Sequence, residues 1–323
     1  MKFDLLSIIG TTATGKTDLA FQLATNLIQQ ELAKGVIIIG ADSRQVYTGL
    51  ETITGADIPQ NFFTVDPSNQ NSYRYFQHPN LPIQLHGVSI IKVTQDWSVA
   101  QFAKMASNLI KQAMQKNYFS IVVGGTGFYH QQLLTTQPSL QIKPNEKIRK
   151  QAEKKTVAQL QKWLKKLNTQ KFEALNQSDI NNPRRLVRAI EIEIETQQEK
   201  ISDQKKSTYR TLQIGLKIDQ AQLEEKIKKR VEDRLKNGAI TEVENLLSLN
   251  LSPQATAITA TGVNSIRKSL SQEISNKQLL DEWILEETQY AKRQLTWFKK
   301  YEPDLWLNCK ETSNQTTIIN LIS

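Results

Sequence analysis

The stretch Gly10–Thr17 is the first part of the sequence whose residue types point to chemistry. It reads Gly-Thr-Thr-Ala-Thr-Gly-Lys-Thr, which fits the phosphate-binding pattern G-x-x-x-x-G-K-T. The two glycines let the backbone curl until several N–H groups point at one centre. Lys16 adds a mobile positive charge, and the Thr17 hydroxyl is placed to reach Mg²⁺. The pattern predicts a polyphosphate site made by Gly10, Thr11, Thr12, Ala13, Thr14, Gly15, Lys16 and Thr17.

Apolar runs on both sides of this loop supply the elements that must position it. The run Leu5–Ile9 before the loop predicts a strand. After the loop, the apolar residues Leu19, Ala20, Leu23 and Leu27 recur at helical spacing. A strand followed by the loop and then by a helix is the context that the motif requires, and it favours a phosphate site over a plain glycine turn.

A carboxylate follows the next predicted strand. Val36–Ile39 is a continuous apolar run, and Asp42 comes shortly after it. Ligands of open α/β sheets lie beyond the carboxyl ends of the strands, so we expect Asp42 near the phosphate loop. The residues Ser43, Arg44 and Gln45 that follow it belong to the same loop or helix start.

The rest of the first half continues the alternation of strands and helices. We predict a third strand over 88–93, a helix over about 98–115 and a fourth strand over 121–123 that runs into Gly124–Tyr129. The stretch from Gly49 to about Pro82 is interpreted as a polar connection. This alternation predicts an α/β fold with a parallel sheet flanked by helices, of the P-loop NTPase type.

The character of the chain changes in the middle. Residues 138–205 are rich in Lys and Gln and show helical patterning, so we predict a helical insertion between two parts of the core, 1–137 and 206–323. The insertion contains Arg184, Arg185 and Arg188 within five positions. These arginines indicate either an anion-binding helix start or an ordinary solvated surface.

A second basic position lies on a later helix. After a predicted strand over 212–218, Asp219 begins a helix whose apolar stripe is flanked by Arg230, with Gln222 in the capping-box position. A last helix is predicted over about 281–300. The phosphate loop, the segment after Asp42, the glycine-rich strand end and the Arg230 helix should converge on one cleft equipped to displace a phosphate or diphosphate.

Composition narrows the class of protein. The 323 residues carry 41 Lys plus Arg against 32 Asp plus Glu, a net charge of +9, which favours a polyanionic partner, although solubility alone is the alternative. One cysteine excludes disulfides within the chain and a cysteine-rich zinc site. No apolar run approaches the ~20 residues needed to span a bilayer. We expect a monomer in the cytoplasm with no membrane partner.

With these motifs in order, the sequence resembles the tRNA dimethylallyltransferases, also called tRNA isopentenyltransferases. The likeness covers nearly the whole chain and is more specific than any single motif. It rests on the phosphate loop and on Asp42-Ser43-Arg44-Gln45-Val46-Tyr47, Val123-Gly124-Gly125-Thr126-Gly127-Phe128-Tyr129 and Ala291-Lys292-Arg293-Gln294-Leu295-Thr296-Trp297-Phe298.

The resemblance implies a reaction. Such enzymes move a dimethylallyl group from dimethylallyl diphosphate to N6 of the adenosine 3′ of the anticodon in tRNA. By position, Asp42 would be the general base, Lys16 and Thr17 would hold the diphosphate and Mg²⁺, and Arg230 would contact the leaving diphosphate. The residues implied to meet the target base or the tRNA anticodon stem-loop are Asp42, Ser43, Arg44, Gln45, Thr126, Arg149, Arg184, Arg185 and Arg188, and Thr126 is also among the implied catalytic residues.

The sequence departs from the family in three places, one of which is His86, the single counterpart of a run that usually has paired histidines. Glu51–Asp57 lacks the lysine that ends the family's usual run, and Thr259–Asn264 lacks two basic residues and an aromatic. We therefore expect a smaller salt dependence of tRNA binding than in a member that retains them.

Three other functions remain open on the sequence. An isopentenyltransferase acting on free adenylate would share the loop and Asp42, and only the Arg184–Arg188 turn and the Ala291–Phe298 helix favour tRNA over it. A small-molecule kinase would use the insertion as its lid. An RNA-binding protein with a decayed site is the non-enzyme alternative, and the retention of Lys16, Thr17 and Asp42 speaks against it.

Overall fold

The apolar runs of the sequence form the strands of an eight-stranded sheet in the computed structural model, which describes residues 1–67, 73–136, 139, 142–198, 205–206, 209–252 and 255–323. Two further strands, β7 and β8, pair with each other in a separate antiparallel ladder. In chain order the strands are β1 Leu5–Gly10, β2 Val36–Gly40, β3 Phe63–Val65, β4 Tyr75–Gln77, β5 Ile83–His86, β6 Phe119–Gly124, β7 Thr135–Thr136, β8 Lys205–Lys206, β9 Thr211–Lys217 and β10 Leu305–Asn308.

Helices connect these strands. They are α1 Lys16–Gln29, α2 Glu51–Thr54, α3 Val99–Gln115, α4 Gly127–Leu134, α5 Glu146–Glu153, α6 Val157–Leu167, α7 Thr169–Glu173, α8 Gln177–Ile180, α9 Pro183–Gln198, α10 Gln220–Lys236, α11 Ala239–Ser248, α12 Val263–Leu270, α13 Asn276–Lys300 and α14 Asn314–Ile322. A 3-10 turn covers Ala257–Thr259. Throughout the described part of the chain, no helix is both long and apolar enough to cross a bilayer.

The main sheet has the order β10-β9-β1-β6-β2-β5-β4-β3. Strands β10 to β5 in this order run parallel, and β4 and β3 add an antiparallel edge. Every residue of β1, β2 and β6 is buried, which explains why these strands read as continuous apolar runs rather than alternating ones. The predicted α/β class with a parallel sheet is confirmed.

The predicted third strand is wrong in position. The strand is β5, five residues earlier, and residues 88–93 lie beyond its end. Gly87 follows the strand with φ 78°, and Ser89 has φ 49°, so the backbone leaves extended geometry before the predicted run begins. Ile91 instead forms an isolated bridge with Tyr47. The segment interpreted as a polar connection also contains α2, β3 and β4.

Two other sequence details differ from the structure. Helix α13 begins at Asn276, five residues before the predicted start of the last helix near 281. At the start of α10, Asp219 occupies the N-cap position, but it forms no side-chain capping hydrogen bond. The predicted capping box with Gln222 is therefore absent.

The chain divides into two compact units. One contains Met1–Leu134 and Ser207–Ser323, and the other contains Thr135–Lys206, where the sequence predicted limits of 138 and 205. The second unit has its own apolar core, built mainly from α5, α6 and α9. The predicted phosphate loop and Asp42 both belong to the larger unit, where they follow the carboxyl ends of the parallel strands β1 and β2.

Candidate active site

The phosphate loop connects β1 to α1 with unusual backbone conformations. Gly15 caps α1 in a left-handed conformation with φ 78°, and Ala13 also has a positive φ of 63°. A left-handed non-glycine residue costs about 1 to 2 kcal/mol, and such residues persist where the surroundings hold them in place. A Cβ on Gly10 would lie 2.8 Å from the Leu216 carbonyl oxygen of β9, so only glycine fits there.

Lys16 lies folded over this loop. Its Nζ donates to the Thr11 carbonyl oxygen at 2.6 Å and to Thr14 Oγ1 at 3.5 Å. Burial, together with the smaller effect of the nearby charge of Arg230, lowers the pKa of Lys16 to about 8, although the charges of Asp42 and Asp57 act in the opposite direction. An anion bound in the loop would favour the charged form of this lysine.

Asp42 lies at the end of β2, at the same edge of the sheet. Its Oδ1 accepts the backbone N–H of Arg44 at 2.8 Å and that of Gln45 at 3.4 Å. Burial raises the pKa of Asp42, although these two hydrogen bonds and the charges of Arg44 and Lys16 partly oppose the effect. The carboxylate is therefore fixed in orientation and binds a proton more readily than an exposed aspartate.

The predicted segments converge on one cavity of about 300 Å³. All four contribute to its lining. Its walls include Thr12, Ala13, Gly15, Lys16 and Thr17 from the phosphate loop, Asp42, Ser43, Arg44 and Gln45, the strand end Val123, Gly124 and Gly125, and Arg230. Several lining residues were not proposed from the sequence: Asp18, Thr54, Asp57, Arg234, Thr259, Ala260, Thr261, Glu287, Tyr290, Arg293 and Gln294.

Thr126 lies behind the lining rather than in it. Its hydroxyl accepts the backbone N–H of Ser43 at 3.2 Å and forms a hydrogen bond with the Tyr290 side chain. Burial raises the pKa of Tyr290, so its phenol stays neutral at physiological pH. In this structure Thr126 supports the loop that carries Asp42.

Two arginines of α10 form one wall of the cavity. Arg230 Nη1 donates to Thr12 Oγ1 at 3.2 Å, and its Nη2 lies 3.7 Å from Asp57 Oδ2. Arg234, one turn later, pairs with the buried carboxylate of Glu287 at 2.8 Å. The i, i+4 spacing of the two arginines in the sequence is the signal that places both on one face.

Both guanidinium groups lie close against Gly55. A Cβ on Gly55 would lie 2.2 Å from Arg234 Nη2 and 2.6 Å from Arg230 Nη2. The Gly55 carbonyl oxygen accepts from the Gln45 side chain at 2.7 Å. Helix α2, which precedes this glycine, is held by Glu242, whose carboxylate accepts two N–H groups at its N-terminus at 2.7 and 2.8 Å.

The predicted RNA-contacting arginines of the smaller unit are engaged with protein groups. Arg149 and Arg188 both pair with Glu191, at 2.7 and 3.0 Å, and Glu191 is fully buried. Arg188 also donates to two backbone carbonyl oxygens. Arg185 pairs with Asp179, and Arg184 lies in the first turn of α9. Arg149 and Arg188 therefore have a structural role that the sequence did not indicate.

The residues present fit a magnesium ion shared with phosphate groups. Among the described residues there is no cluster of three or more His, Cys, Asp or Glu that could hold a metal by itself. The cavity instead offers the Thr17 hydroxyl beside the carboxylates of Asp18 and Asp57. Mg²⁺ commonly takes one or two protein ligands and completes its shell with water and substrate phosphates.

Comparisons with known proteins agree on one family. The family model described as IPP transferase matches residues 78–301. The tRNA dimethylallyltransferase of Alkaliphilus metalliredigens (strain QYMF) is 30% identical, covering 98% of this chain and 96% of the relative. That of Alkaliphilus oremlandii (strain OhILAs) is 31% identical over 95% of this chain and 92% of the relative.

Solved structures give the same result for the fold. The crystal structure of tRNA delta(2)-isopentenylpyrophosphate transferase from Staphylococcus epidermidis superposes with a TM-score of 0.65 at 27% identity, covering 99% of both chains. A eukaryotic dimethylallyltransferase acting on tRNA has a TM-score of 0.74 at 22% identity, covering 98% of this chain and 76% of that one. The second likeness concerns the fold alone.

Proposed function

The chain belongs to the IPP transferase family, that of the tRNA dimethylallyltransferases, and we propose that it transfers a dimethylallyl group from dimethylallyl diphosphate to N6 of the adenosine 3′ of the anticodon in tRNA. One observation carries this proposal. The phosphate loop with Lys16, the arginine Arg230 and the carboxylate Asp42 line the same cavity. Groups that can bind a diphosphate leaving group and a carboxylate that can accept a proton thus line one cavity.

The donor half of the reaction depends on charge neutralisation. The bond between the allylic carbon and the diphosphate oxygen breaks readily once the negative charge on the leaving group is balanced. Lys16, Arg230 and the phosphate loop line the cavity in which that charge would develop. Thr17 would hold a Mg²⁺ ion shared with the diphosphate, and that ion would supply further charge neutralisation.

The acceptor half depends on Asp42. The exocyclic N6 of adenine forms the new bond to the allylic carbon, and it must lose a proton as it does so. Asp42 accepts that proton, because its carboxylate is held by two backbone N–H groups and lies in the cavity. Burial, which raises its pKa, brings its basicity closer to what proton abstraction requires.

The smaller unit is proposed to hold the RNA. Residues 135–206 contain 16 Lys and Arg against nine Asp and Glu, so they carry +7 of the net charge of +9. A positive surface of this kind attracts the phosphates of an RNA stem. The target adenosine must leave its stack to reach a cavity of this size. We further propose that the protein acts as a monomer in the cytoplasm.

A comparison of acceptors tests the function. The protein is incubated with labelled dimethylallyl diphosphate and Mg²⁺, separately with tRNA and with AMP. We expect label in tRNA and not in AMP. Label in AMP alone would replace tRNA with free adenylate as the acceptor. Transfer of phosphate from ATP to a small molecule, without prenyl transfer, would identify a kinase.

A further inference from the structure

We propose that Gln294 is a positioning residue. It holds the phosphate loop, where the prenyl donor would bind, in place relative to the edge of the sheet that carries Asp42. This inference rests on the proposed function, because it assigns the donor to the phosphate loop and the proton acceptor to Asp42. Gln294 lies in Ala291–Phe298, one of the segments that resemble the family, but the resemblance assigns no role to this residue.

The Gln294 side chain joins three elements. It extends from α13, and only 5% of the residue is exposed. Its Oε1 accepts the backbone N–H of Thr12 at 2.8 Å, and its Nε2 donates to the carbonyl oxygen of Gly125 at 3.1 Å. Thr12 belongs to the phosphate loop and Gly125 to the end of β6, so one amide connects segments that are far apart in the chain.

The two partners require a side chain that both accepts and donates. The Thr12 N–H can only donate, and the Gly125 carbonyl can only accept. A carboxamide satisfies both groups at once, whereas a carboxylate satisfies the first alone and a thioether satisfies neither effectively. The hydrogen bonds therefore fix which end of the Gln294 amide faces which partner.

The connection continues to the reacting groups on both sides. On the side of the prenyl donor, the Thr12 hydroxyl accepts a hydrogen bond from Arg230 at 3.2 Å. Gln294 therefore holds the backbone of the residue whose side chain contacts Arg230, the arginine proposed to bind the diphosphate. On the acceptor side, the N–H of Thr126, next to Gly125, donates to the Ala41 carbonyl oxygen at 3.1 Å, directly before Asp42.

The amide also lies close to the proposed base. A Cβ built on Gly125 would lie 2.0 Å from Gln294 Nε2 and 3.8 Å from Asp42 Oδ2. The amide nitrogen of Gln294 and the carboxylate oxygen of Asp42 therefore both lie near this one point. Both polar atoms of Gln294 are already bonded to protein groups. Its effect on the reaction therefore passes through Thr12 and Gly125, which set the distance between the allylic carbon and the N6 atom. A misplacement of about 1 Å between reacting groups can cost about 10²-fold in rate.

Two variants of Gln294 and one control test the proposal. Gln294→Met keeps the size and removes both hydrogen bonds. Gln294→Glu keeps an acceptor for Thr12 but adds a negative charge near Asp42. Gln132→Met is the matched control, since Gln132 is a buried glutamine of α4 that does not line the cavity. Each protein is measured for Tm, for the Kd of dimethylallyl diphosphate with Mg²⁺, and for the single-turnover rate with saturating donor and tRNA.

We expect the single-turnover rate of Gln294→Met to fall by about 10²-fold. Its donor Kd should change by less than about tenfold, because Lys16, Arg230 and the loop amides remain. The control should retain the wild-type rate. A wild-type rate in Gln294→Met, or a loss that lies wholly in the donor Kd, would overturn the positioning role.

The pH profile gives a readout that a purely structural role would not change. Among the described residues, the charged or titratable side chains near Asp42 include those of Lys16, Arg44, Tyr129 and Tyr290. Gln294→Glu adds a carboxylate to this group, so the acid limb of kcat/KM should move to higher pH. An unmoved acid limb would contradict the proximity of Gln294 to the base.

The outcomes separate this inference from the proposed function. If wild-type protein transfers no prenyl group to tRNA, the proposed function fails before any variant is compared. If wild-type protein is active and Gln294→Met is equally active, only the positioning role fails.

Discussion

Arg230 of α10 donates a hydrogen bond to the hydroxyl of Thr12, a residue of the phosphate loop that lies 218 positions earlier in the chain. The contact places the arginine over the loop that Lys16 and Thr17 complete. Asp57, 3.7 Å away, is a second partner of the same guanidinium. A diphosphate in the loop would therefore lie near the positive charges of both Lys16 and Arg230.

The first prediction concerns this arginine and the donor. Arg230→Ala should weaken the binding of dimethylallyl diphosphate with Mg²⁺ by roughly 10- to 100-fold, since a hydrogen bond to a charged group contributes about 1.5 to 3 kcal/mol. Arg230→Lys should recover only part of the affinity, because lysine lacks the paired donors of the guanidinium. Titration calorimetry measures both. A variant that binds donor normally and loses only tRNA affinity would remove Arg230 from the donor site.

The second prediction concerns Asp42 as the base. Asp42→Asn should lower the single-turnover rate by roughly 10²-fold or more, because asparagine cannot accept the N6 proton. Its donor affinity should stay close to wild type. In the wild-type protein, kcat/KM should fall as the pH drops through the pKa of Asp42, which burial raises above the ordinary value near 3.9. A rate near wild type for the variant would exclude Asp42 as the base.

The same substitution should change stability in the opposite direction from activity. A folded-state pKa above the unfolded value means that the native protein binds more protons between the two pKa values, so the contribution of Asp42 to stability falls as pH rises through that window. Asparagine has no such loss. We therefore expect Asp42→Asn to be more stable than wild type at pH 7 and no more stable in acid below both pKa values, as measured by urea unfolding.

The third prediction compares two glycines with positive φ, one of which lies against the two arginines of α10 and one of which does not. Gly55 and Gly49 have similar positive φ values, 63° and 80°. A Cβ at Gly55 would displace Arg230 and Arg234, whereas a Cβ at Gly49 would meet no described atom within 4 Å. Both alanine variants should lose about 1 kcal/mol of stability. Only Gly55→Ala should also weaken donor binding, by about tenfold. Equal donor Kd values in the two variants would show that the arginines do not depend on Gly55.

The fourth prediction concerns RNA binding by the smaller unit. Each phosphate contact removed should reduce the slope of log K against log salt by about 0.7 to 0.9, so replacing Arg184 and Arg185 with alanine should reduce it by about 1.5. The control replaces Lys228 and Lys229, an exposed basic pair on α10, with the same loss of charge. The measurement is tRNA affinity across a salt series. Parallel lines for wild type and the arginine variant would mean that the pair forms only a solvated surface.

Arg188 is left out of that test because it stabilises the unit itself. It forms an ion pair with buried Glu191, and removal of one partner from a buried pair commonly costs about 3 kcal/mol or more. Burial alone would raise the pKa of Glu191, but hydrogen bonds from Arg149, Arg188 and the Asn145 N–H outweigh it and lower the pKa. The contribution of Glu191 to stability is therefore present above its unfolded pKa and lost as pH falls through the folded one.

The fifth prediction follows from this pair. Arg188→Ala should lower the midpoint of urea unfolding of residues 135–206, observed in the full chain. The double variant with Glu191→Gln should lose less stability than the sum of the two single variants, because Arg188→Ala takes away one of the two ion-pair partners of a buried charge and Glu191→Gln removes that charge. Strict additivity would contradict the proposed coupling.

The sequence by itself determined the local features of the site. The spacing of Gly10, Gly15, Lys16 and Thr17 defined the phosphate loop because the pattern is contiguous and its flanking elements have distinct periodicities. Asp42 was found because a residue after an apolar strand must lie at the ligand-binding edge of a parallel sheet. These predictions needed only short-range information.

The misplaced third strand shows the limit of such patterns. Residues 88–93 have the apolar character of a strand, but the backbone turns at Gly87, and the strand that pairs with β2 on the side away from β6 is the less apolar run Ile83–His86. Short apolar runs do not reveal by themselves which of two neighbours enters a sheet, because the choice depends on pairing with a distant strand.

Tertiary structure alone decided which polar side chains meet. Gln294 reaches Thr12 and Gly125, Arg234 reaches Glu287, and Arg188 is committed to Glu191 rather than left on an open surface. The first two sets of contacts join residues that are far apart in the chain, so no periodic pattern links them. Arg188 and Glu191 are only three positions apart, but no local pattern reveals that Glu191 is buried. A buried polar group must find a partner, but the sequence does not say which one, because that choice is made by the packing of whole helices against the sheet.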